Sequence, residues 1–310
     1  MRDRLATVEA CFKDLDYWYM AGKIIKIKFG KRTPLFGSVD INNICNLKCK
    51  HCYWWINRKD VPNELTAEQW RQVIRNTFKK LHILQVVIAG GEPTLRPDVI
   101  RVFSEELPNK FCVISNGTAP LHYFDGQISY WISIDGPEKI HDYIRGPTYE
   151  VIKQNVRNFV QKYGRKKIWI ATTVNIFNYK YVEDIVKEWV DLAYEIAFQL
   201  HTPFSLNDPL WIPYGKERDW VIDKIIQMKK EYNGFILNKT RQLNMLKKPW
   251  GGIGSTPTKC PNWAILAIDH LGRVKEPCCM GSSEQNSIRP ICERCGLSPY
   301  SSLLAYGISS

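Results

Sequence analysis

Six short apolar runs, rich in branched side chains, alternate with segments of helical period between residues 38 and 201. Continuous apolar runs of this kind are typical of parallel strands whose two faces are both covered. Repeated strand-helix units imply right-handed parallel crossovers, so the predicted fold class is α/β, either a barrel or an open doubly wound sheet. The runs are SVDIN (38–42), LQVVIAG (84–90), FCVIS (111–115), YWISID (130–135), IWIATTV (168–174) and IAFQL (196–200).

The segments between these runs have amphipathic patterns. Thr66 and Gln69 have the spacing of a capping box, which predicts that a helix begins there. Its expected apolar stripe is Trp70, Val73, Ile74, Phe78 and Leu81. Later helices are predicted from near Pro97, from Tyr149 to a stop at Gly164, around 182–189, and over 216–232.

The unusual residues of the chain follow the first four predicted strands. A loop with three cysteines follows the first strand, GGEP (90–93) the second, SNGT (115–118) the third and DGP (135–137) the fourth. Both kinds of α/β fold place their chemistry at the carboxyl ends of the strands. The sequence therefore predicts one site built from four consecutive strand ends.

Eight of the ten cysteines fall into two groups. In a large cytosolic chain, cysteines in tight clusters indicate ligation of a metal or an iron-sulfur cluster, whereas in a secreted domain they would indicate disulfides. The isolated Cys11 and Cys112 are predicted to be small core side chains. Three thiolates can hold three irons of a cubane cluster and leave one iron open, whereas a structural zinc site needs a fourth ligand. The groups are Cys45, Cys49 and Cys52, and Cys260, Cys278, Cys279, Cys292 and Cys295.

Composition limits the class of protein. The 310 residues are 45% hydrophobic, which suits one main globular domain with an appendix. The start of the chain is too charged for a secretory signal, and no apolar run approaches the roughly 18 residues of a membrane span. We therefore expect a cytoplasmic protein.

The net charge of +12 suggests an anionic partner: nucleic acid, an acidic lipid surface or a phosphorylated substrate. Residues 17–32 combine aromatic, apolar and basic side chains, which permits peripheral contact with a membrane or approach to a polyanion. The alternative is that the apolar residues of this segment pack against the domain. Its basic residues are Lys23, Lys26, Lys28, Lys31 and Arg32.

The cysteine spacing C-x3-C-x2-C after a first strand, together with GGEP after the second, resembles the radical S-adenosylmethionine superfamily. The resemblance implies a partial (β/α)6 TIM-like barrel and an enzyme that cleaves S-adenosylmethionine at a [4Fe-4S] cluster. Cys45, Cys49 and Cys52 would be the catalytic cluster ligands, and the open iron would bind the cosubstrate. Residues expected to contact the cosubstrate are His51, Gly90, Gly91, Glu92, Pro93, Ser115, Asn116, Ser133, Asp135 and Arg145.

Individual roles follow from the same resemblance. GGEP would approach the methionine amine, Arg145 the methionine carboxylate and His51 the adenine. Tyr53, Trp54 and Trp55 either continue the wall toward the substrate or pack under the loop.

The second cysteine group resembles the SPASM or shorter twitch extensions that hold auxiliary clusters in many such enzymes. One auxiliary [4Fe-4S] cluster is expected, with a structural zinc as the alternative. Side chains of adjacent cysteines tend to diverge, so the ligand set is interpreted as Cys260, Cys278, Cys292 and Cys295. The expected divisions are an N-terminal segment (1–36), the barrel (37–205), a connector with one helix (206–255) and the auxiliary domain (256–310).

The leading hypothesis is an enzyme that modifies an unactivated carbon of a sizeable substrate, with an electron donor such as ferredoxin or flavodoxin. A peptide or protein is the first choice of substrate, a lipid or isoprenoid the second, and RNA a third, although no separate nucleic-acid module is visible. A zinc-dependent nucleic-acid-binding protein is the alternative from a different class.

Overall fold

The computed structural model describes residues 14–56, 64–249, 260–305 and 307–308, with side chains from residue 19 onward. Within these ranges the strands form a single parallel sheet in the order β6-β5-β4-β3-β2-β1-β7. The strands are β1 (Phe36–Asp40), β2 (Gln85–Ala89), β3 (Phe111–Ser115), β4 (Gln127–Ser133), β5 (Ile168–Val174), β6 (Glu195–Leu200) and β7 (Ile265–Ile268).

Helices cover one face of this sheet and leave the other face concave. A methyl group on Gly37 of β1 would lie 2.6 Å from the Phe78 ring, so this side of the strand faces the helices. On the opposite face, the rings of Trp131 and Trp169 lie 4.7 Å apart. The helices are α1 (Asp14–Lys28), α2 (Ala67–Ile74), α3 (Pro97–Glu106), α4 (Glu138–Arg145), α5 (Tyr149–Tyr163), α6 (Val182–Trp189), α7 (Lys216–Glu231), α8 (Thr240–Met245) and α9 (Ser298–Ala305).

The concave face is lined by half-buried side chains, because strand residues alternate between the two faces. Thr173 of β5 accepts a hydrogen bond from Gln199 of β6 on this face. The expected partial TIM-like barrel is thus confirmed, and its interior face carries polar side chains together with the rings of Trp131 and Trp169.

The predicted strands and helices match the structure closely. The Thr66–Gln69 capping box is present in both directions, and α5 ends at Gly164, whose φ is +82°. The prediction that Leu81 belongs to the apolar stripe of α2 is wrong, because its side chain is 39% exposed. A π-helical turn, Arg75–Lys79, follows α2 and changes the residue period before Leu81 is reached.

The seventh strand was not predicted. Residues 265–268 turn back at Gly272 (φ +77°) to an antiparallel bridge between Ile268 and Val274, as one arm of a hairpin does. They also pair in parallel with β1, so the C-terminal extension begins inside the barrel sheet. The connection between β3 and β4, residues 116–126, contains no helix.

Cys112 lies buried in β3, as expected. Cys11 and the GGIGSTPTK segment (251–259) lie outside the described residues. None of the helices in the described ranges is long and apolar enough to cross a membrane.

The N-terminal helix α1 packs at the amino end of the sheet. The ammonium group of Lys23 donates hydrogen bonds to the carbonyls of Pro34 (2.7 Å) and His82 (3.0 Å), and the Tyr19 ring stacks on His82. Pro34 and His82 precede β1 and β2 respectively, so α1 lies at the end of the barrel opposite to the strand ends that carry the cysteine loop and GGEP.

Candidate active site

The first cysteine group lies on the loop that follows β1. The loop folds on itself through a hydrogen bond from the Cys52 N–H to the Cys49 carbonyl (3.1 Å). The Lys50 N–H donates to the carbonyl of Ile144 in α4 (2.9 Å), which ties the loop to the fourth strand-helix unit. The Leu47 N–H points at the sulfur of Cys45 (3.5 Å), a donor that favours the thiolate.

The three thiols are half-buried, and burial raises the pKa of each. Burial, and after it the charge of the neighbouring Cys49, raises the pKa of Cys52 to about 11. At Cys49, the positive charge of Arg145 opposes the rise in pKa that burial causes. No three His, Cys, Asp or Glu side chains in the described ranges stand close enough to hold a single metal ion. A four-iron cluster gives each thiolate its own iron, and three thiols on one loop fit that donor set.

The glycines of GGEP permit the close approach of β2 to the cysteine loop. A methyl group on Gly91 would lie 2.0 Å from the carbonyl oxygen of Ile44, and one on Gly90 (φ +136°) would lie 2.7 Å from the side-chain oxygen of Asn42. Asn42 also accepts from the Gly91 N–H (3.1 Å) and donates to the Glu92 carbonyl (2.8 Å). Pro93, also buried, begins a short 3₁₀ turn.

The Glu92 carboxylate is buried and turned toward β3. It accepts hydrogen bonds from the Ser115 hydroxyl (2.8 Å), the Asn116 N–H (2.7 Å) and both the N–H and the hydroxyl of Thr94. Burial raises the pKa of Glu92, and these four donors oppose the rise. Its side chain therefore joins the ends of β2 and β3.

Asn46 is a member of this site that the sequence interpretation missed. Its side-chain oxygen accepts from Asn116 (2.9 Å), and its amide donates to the Thr118 hydroxyl (2.8 Å). It thus connects the cysteine loop to the end of β3. Its position between Cys45 and Cys49 was the signal available in the sequence.

Asp135 and Arg145 form a buried ion pair beside Cys49, and His51 contacts both of them. The Arg145 guanidinium donates to Asp135 (2.5 Å), lies 3.9 Å from the Cys49 sulfur and 3.4 Å from His51. Burial opposes ionisation of Asp135, yet Arg145 and His51 hold its pKa below the ordinary value. Burial lowers the pKa of His51 to about 4, so its imidazole is neutral at pH 7.

Asp135 is fixed from several directions. Its other carboxylate oxygen accepts from the Thr173 N–H (2.8 Å), and its backbone carbonyl accepts from Asn178 (2.9 Å). Ser133, two residues earlier, lies on the same strand end and is buried. The structure therefore brings the predicted residues of all four strand ends together around the first cysteine loop.

The second cysteine group is attached to both edges of the partial barrel. Cys295 is held near the end of β6, since the Leu200 N–H donates to the Gly296 carbonyl (2.9 Å) and the Gly296 N–H to Thr202 (2.9 Å). At the other edge, Lys275 donates to the Asp40 carboxylate at the end of β1. The extension thus spans the carboxyl end of the barrel.

Cys278 and Cys279 are the adjacent pair of the second group. The pKa of Cys278 is raised and that of Cys279 is lowered to about 7, in each case chiefly through the other thiol. Cys279 is also stabilised by Lys275 and by Tyr300, whose hydroxyl accepts from the Cys279 N–H (3.0 Å). Both cysteines are half-buried, and either can serve as the fourth ligand.

Tyr53 lies between the two cysteine groups. Burial is the main cause that raises the pKa of its hydroxyl, and the nearby charges of Asp40 and of cysteines from both groups raise this pKa further. Its ring stacks on Phe204, which follows β6, and lies 5.6 Å from the Lys275 ammonium. Trp54 meets His270 edge to face, at 6.1 Å between ring centroids. Of the aromatic trio, these two face the interior between the groups.

Comparisons with known proteins agree with this geometry. A family model described as the radical SAM superfamily matches residues 39–192, about half of the chain. Sporulation killing factor maturation protein SkfB of Bacillus subtilis (strain 168) is 30% identical over 168 residues, which are 50% of this chain and 39% of SkfB. Pre-heme d1 synthase of Dinoroseobacter shibae is 29% identical over 164 residues, 48% of this chain and 40% of the synthase.

The chain thus spans about two fifths of the length of these curated relatives. The structure of Streptococcus suis SuiB bound to its precursor peptide SuiA has the same fold, with a TM-score of 0.62 at 19% identity. That likeness covers 92% of this chain and 69% of the SuiB chain. Through residues 39–192, this chain is a member of the radical SAM superfamily, whose enzymes use a [4Fe-4S] cluster and S-adenosylmethionine.

Proposed function

We propose that this protein is a radical SAM enzyme that modifies an unactivated carbon of a peptide. The observation that carries the proposal is the position of the second cysteine group. It faces the first cysteine loop across Tyr53, at the carboxyl end of the barrel. A substrate between the two groups would be shielded from water by Tyr53, Trp54 and the extension itself.

The residues have distinct proposed roles. Cys45, Cys49 and Cys52 would hold the first cluster, and the backbone at Gly90 and Gly91 would meet the methionine amine. When bound, the cluster and S-adenosylmethionine would supply a 5'-deoxyadenosyl radical by one-electron cleavage of the sulfonium, for abstraction of hydrogen from the substrate or addition to it. The electron would come from a donor such as ferredoxin or flavodoxin.

The polar groups of the strand ends would position the cosubstrate. Arg145 and Asn116 lie beside the cysteine loop and are held by Asp135 and Asn46 respectively. Glu92, with its carboxylate occupied by donors within the fold, would act by positioning the backbone around it. Cys260, Cys292, Cys295 and one of the adjacent pair would hold the auxiliary cluster.

A peptide is favoured over a lipid by the location of α1. The basic and aromatic segment that suggested a lipid substrate packs at the amino end of the barrel, away from the site. A membrane-bound α1 would therefore hold the site mouth away from the bilayer. The likeness to peptide-bound SuiB over 92% of this chain supports the same choice, although the catalytic domain is also similar to a pre-heme d1 synthase.

Peptide extracts from cells with the intact gene, without it, and with Cys49→Ala would test the proposal. We expect a peptide whose mass or fragmentation changes only when the intact gene is present. A change confined to the lipid extract would overturn the peptide substrate while leaving the superfamily chemistry intact.

A second proposal concerns contact with a membrane surface. On α1 and just after it, Ile25 (55%) and Phe29 (83%) are strongly exposed, and Lys26, Lys28 and Lys31 lie among them. Apolar side chains flanked by lysines suit the interface of an anionic bilayer. We propose that α1 is a peripheral contact that leaves the active site facing the aqueous side.

A further inference from the structure

The first cysteine loop has an inner face and an outer face. From residue 44 to residue 51 its side chains alternate between exposed and half-buried positions. Cys45, Cys49 and His51 occupy half-buried positions and belong to the candidate active site. Only the backbone of the loop therefore lies between these side chains and the outer face. The exposed residues of this stretch are Ile44, Asn46, Lys48 and Lys50.

The two lysines of the outer face are held over aromatic rings. The Lys50 ammonium lies 3.1 Å from the ring centroid of Tyr143 in α4, and the Lys48 ammonium lies 5.7 Å from that of Trp55. A cation over an aromatic ring is stabilised while it keeps its charge. Tyr143 is 51% exposed, and its ring meets the exposed ring of Phe177 at 5.2 Å. Lys48, Lys50, Tyr143 and Phe177 thus form one exposed surface, the lysine face.

The positive charge of the lysine face is not neutralised locally. Neither Lys48 nor Lys50 has an ion-pair partner in the part of the chain that the structure describes. The carboxylate of Asp142 in α4 accepts from two backbone N–H groups at the start of α5, both at 2.9 Å. Glu138 lies six residues before Ile144, whose carbonyl accepts from the Lys50 N–H, and six residues of helix rise about 9 Å. Both lysines are therefore available to an acidic partner.

We propose that the lysine face docks an acidic protein of the flavodoxin or ferredoxin class, which gives one electron to the first cluster. This inference rests on the proposed function, because a cluster on the first cysteine group must receive an electron from outside before it can cleave S-adenosylmethionine. The donor loses one electron, the cluster gains it, and no atom is transferred. Electron transfer weakens steeply with distance. Lys48 and Lys50 flank Cys49, so only the loop backbone separates a donor on this face from that thiolate.

Exposed lysines at the opposite end of the barrel lie too far from the site for this role. Lys162 and Lys166 precede β5, and the Lys162 ammonium lies 5.0 Å from the ring centroid of Tyr163, which is also exposed. The cysteine loop follows β1 at the other end of the parallel sheet. Strands of five to seven residues that rise 3.3 Å per residue separate these two ends by roughly 15–20 Å. Position, and not charge alone, therefore distinguishes the lysine face.

The chemistry of the lysine face suits a transient complex. Redox partners form small interfaces, below about 1,200 Å² of buried surface, and complementary charge guides their encounter. The lysines would attract an acidic donor, while the exposed rings of Tyr143 and Phe177 supply apolar contact. A donor must leave after each electron, so we expect binding that is weak and sensitive to salt.

A titration with purified flavodoxin tests the docking surface. The anaerobically reconstituted holoenzyme is titrated with oxidised flavodoxin at low and at high salt, and the affinity is measured by calorimetry. Electron transfer is measured separately in stopped flow, as oxidation of flavodoxin hydroquinone to the semiquinone. Lys48→Glu with Lys50→Glu reverses the charge of the face. Lys162→Glu with Lys166→Glu is the matched control, because it changes the net charge equally at the other end of the barrel.

We expect charge reversal on the lysine face to weaken flavodoxin binding about tenfold or more at low salt, and to slow electron transfer in proportion at subsaturating flavodoxin. The control should bind like the wild type, and high salt should narrow the difference. Each variant should keep its iron and its dithionite-driven formation of 5'-deoxyadenosine, because dithionite needs no docking surface. Lys48→Gln with Lys50→Gln should give an intermediate loss of binding, and it carries the test if the glutamates lower the iron content.

Equal binding by the wild type and the reversed face would overturn the inference. An equal loss in the control would also overturn it, because binding would then follow net charge alone. A loss caused by Arg289→Glu, beside the exposed Cys292, but not by the lysine variants would assign docking to the second cysteine group.

Failure of the proposed function is a separate result. If dithionite yields no 5'-deoxyadenosine, or if no peptide is modified in the gene comparison, the proposed function falls. The docking surface still stands in that case, provided that the lysine variants lose flavodoxin binding and the control does not.

Discussion

Gly91 lies directly against the carbonyl of Ile44, so closely that a methyl group on it would come within 2.0 Å of the oxygen. Ile44 immediately precedes Cys45, the first residue of the cysteine triplet. The second glycine of GGEP therefore sets the position of the loop that carries the three thiols. The nearest atoms to such a methyl group all belong to the backbone of Ile44 and Cys45, so any side chain at position 91 must displace backbone.

Gly91→Ala should accordingly impair the first cluster more than it impairs the fold. We expect iron bound after anaerobic reconstitution to fall, together with 5'-deoxyadenosine formation driven by dithionite. Gly22→Ala is the matched control, since nothing lies within 4 Å of a methyl group there and the position is inside α1. Alanine in a helix should stabilise the control by about 0.5–1 kcal/mol. Unchanged iron content in Gly91→Ala would contradict the argument.

Removal of one thiol of the triplet should abolish the chemistry. Cys49→Ala leaves two ligands, so we expect loss of roughly half of the iron and of all 5'-deoxyadenosine formation, measured by chromatography after incubation with S-adenosylmethionine and dithionite. Cys112→Ala is the control, because Cys112 lies buried in β3 and belongs to neither group. It should lose only about 1 kcal/mol of stability. Survival of cleavage in Cys49→Ala would show the ligand assignment to be wrong.

The auxiliary cluster makes a separate prediction. Cys292→Ala should retain the first cluster and uncoupled cleavage of S-adenosylmethionine but hold about half of the iron and lose turnover on the substrate. Cys278→Ala and Cys279→Ala settle which adjacent thiol is the ligand, since only one of them should reproduce the loss. A reconstituted wild-type chain with no more than four irons would rule the second cluster out.

Sequence patterns located the site because its residues follow strands, and the ends of parallel strands necessarily meet. They could not show how Glu92 and Asn46 are used, because those hydrogen bonds join residues far apart in the chain. The parallel pairing of β7 with β1 was hidden for the same reason: four residues, Ile265–Ile268, look alike in a hairpin and at the edge of a sheet. Asp40 and Lys275 are 235 positions apart in the chain, so their pairing left no local signal.

His141 should make stability depend on pH in the weakly acidic range. Its ring is buried, its Nδ1 atom accepts from the Asp135 N–H (3.3 Å), and burial lowers its pKa to about 4 from the ordinary 6.5. The unfolded chain therefore binds a proton between pH 6.5 and 4 that the folded chain does not. Stability is full above pH 6.5 and should fall by up to about 3 kcal/mol as pH drops toward 4.

His141→Gln keeps an acceptor for the Asp135 N–H and removes the titration. We expect a flatter dependence of the urea midpoint on pH for this variant between pH 5 and 7.5. His51, whose pKa is also lowered by burial, is present in both proteins and contributes equally to each curve. Curves of equal slope would show that His141 does not contribute in this way.

Contact of α1 with an anionic bilayer should depend on Phe29, the most exposed large apolar residue of that segment. Phe29→Ser should weaken sedimentation with vesicles that contain phosphatidylserine by roughly tenfold, because burial of a phenyl ring contributes about 1.5–3 kcal/mol. Leu206→Ser, another exposed apolar residue in the connector after β6, is the control and should have little effect. High salt should weaken binding through the lysines around Phe29. Equal binding to neutral vesicles, or no effect of Phe29→Ser, would remove α1 as the contact.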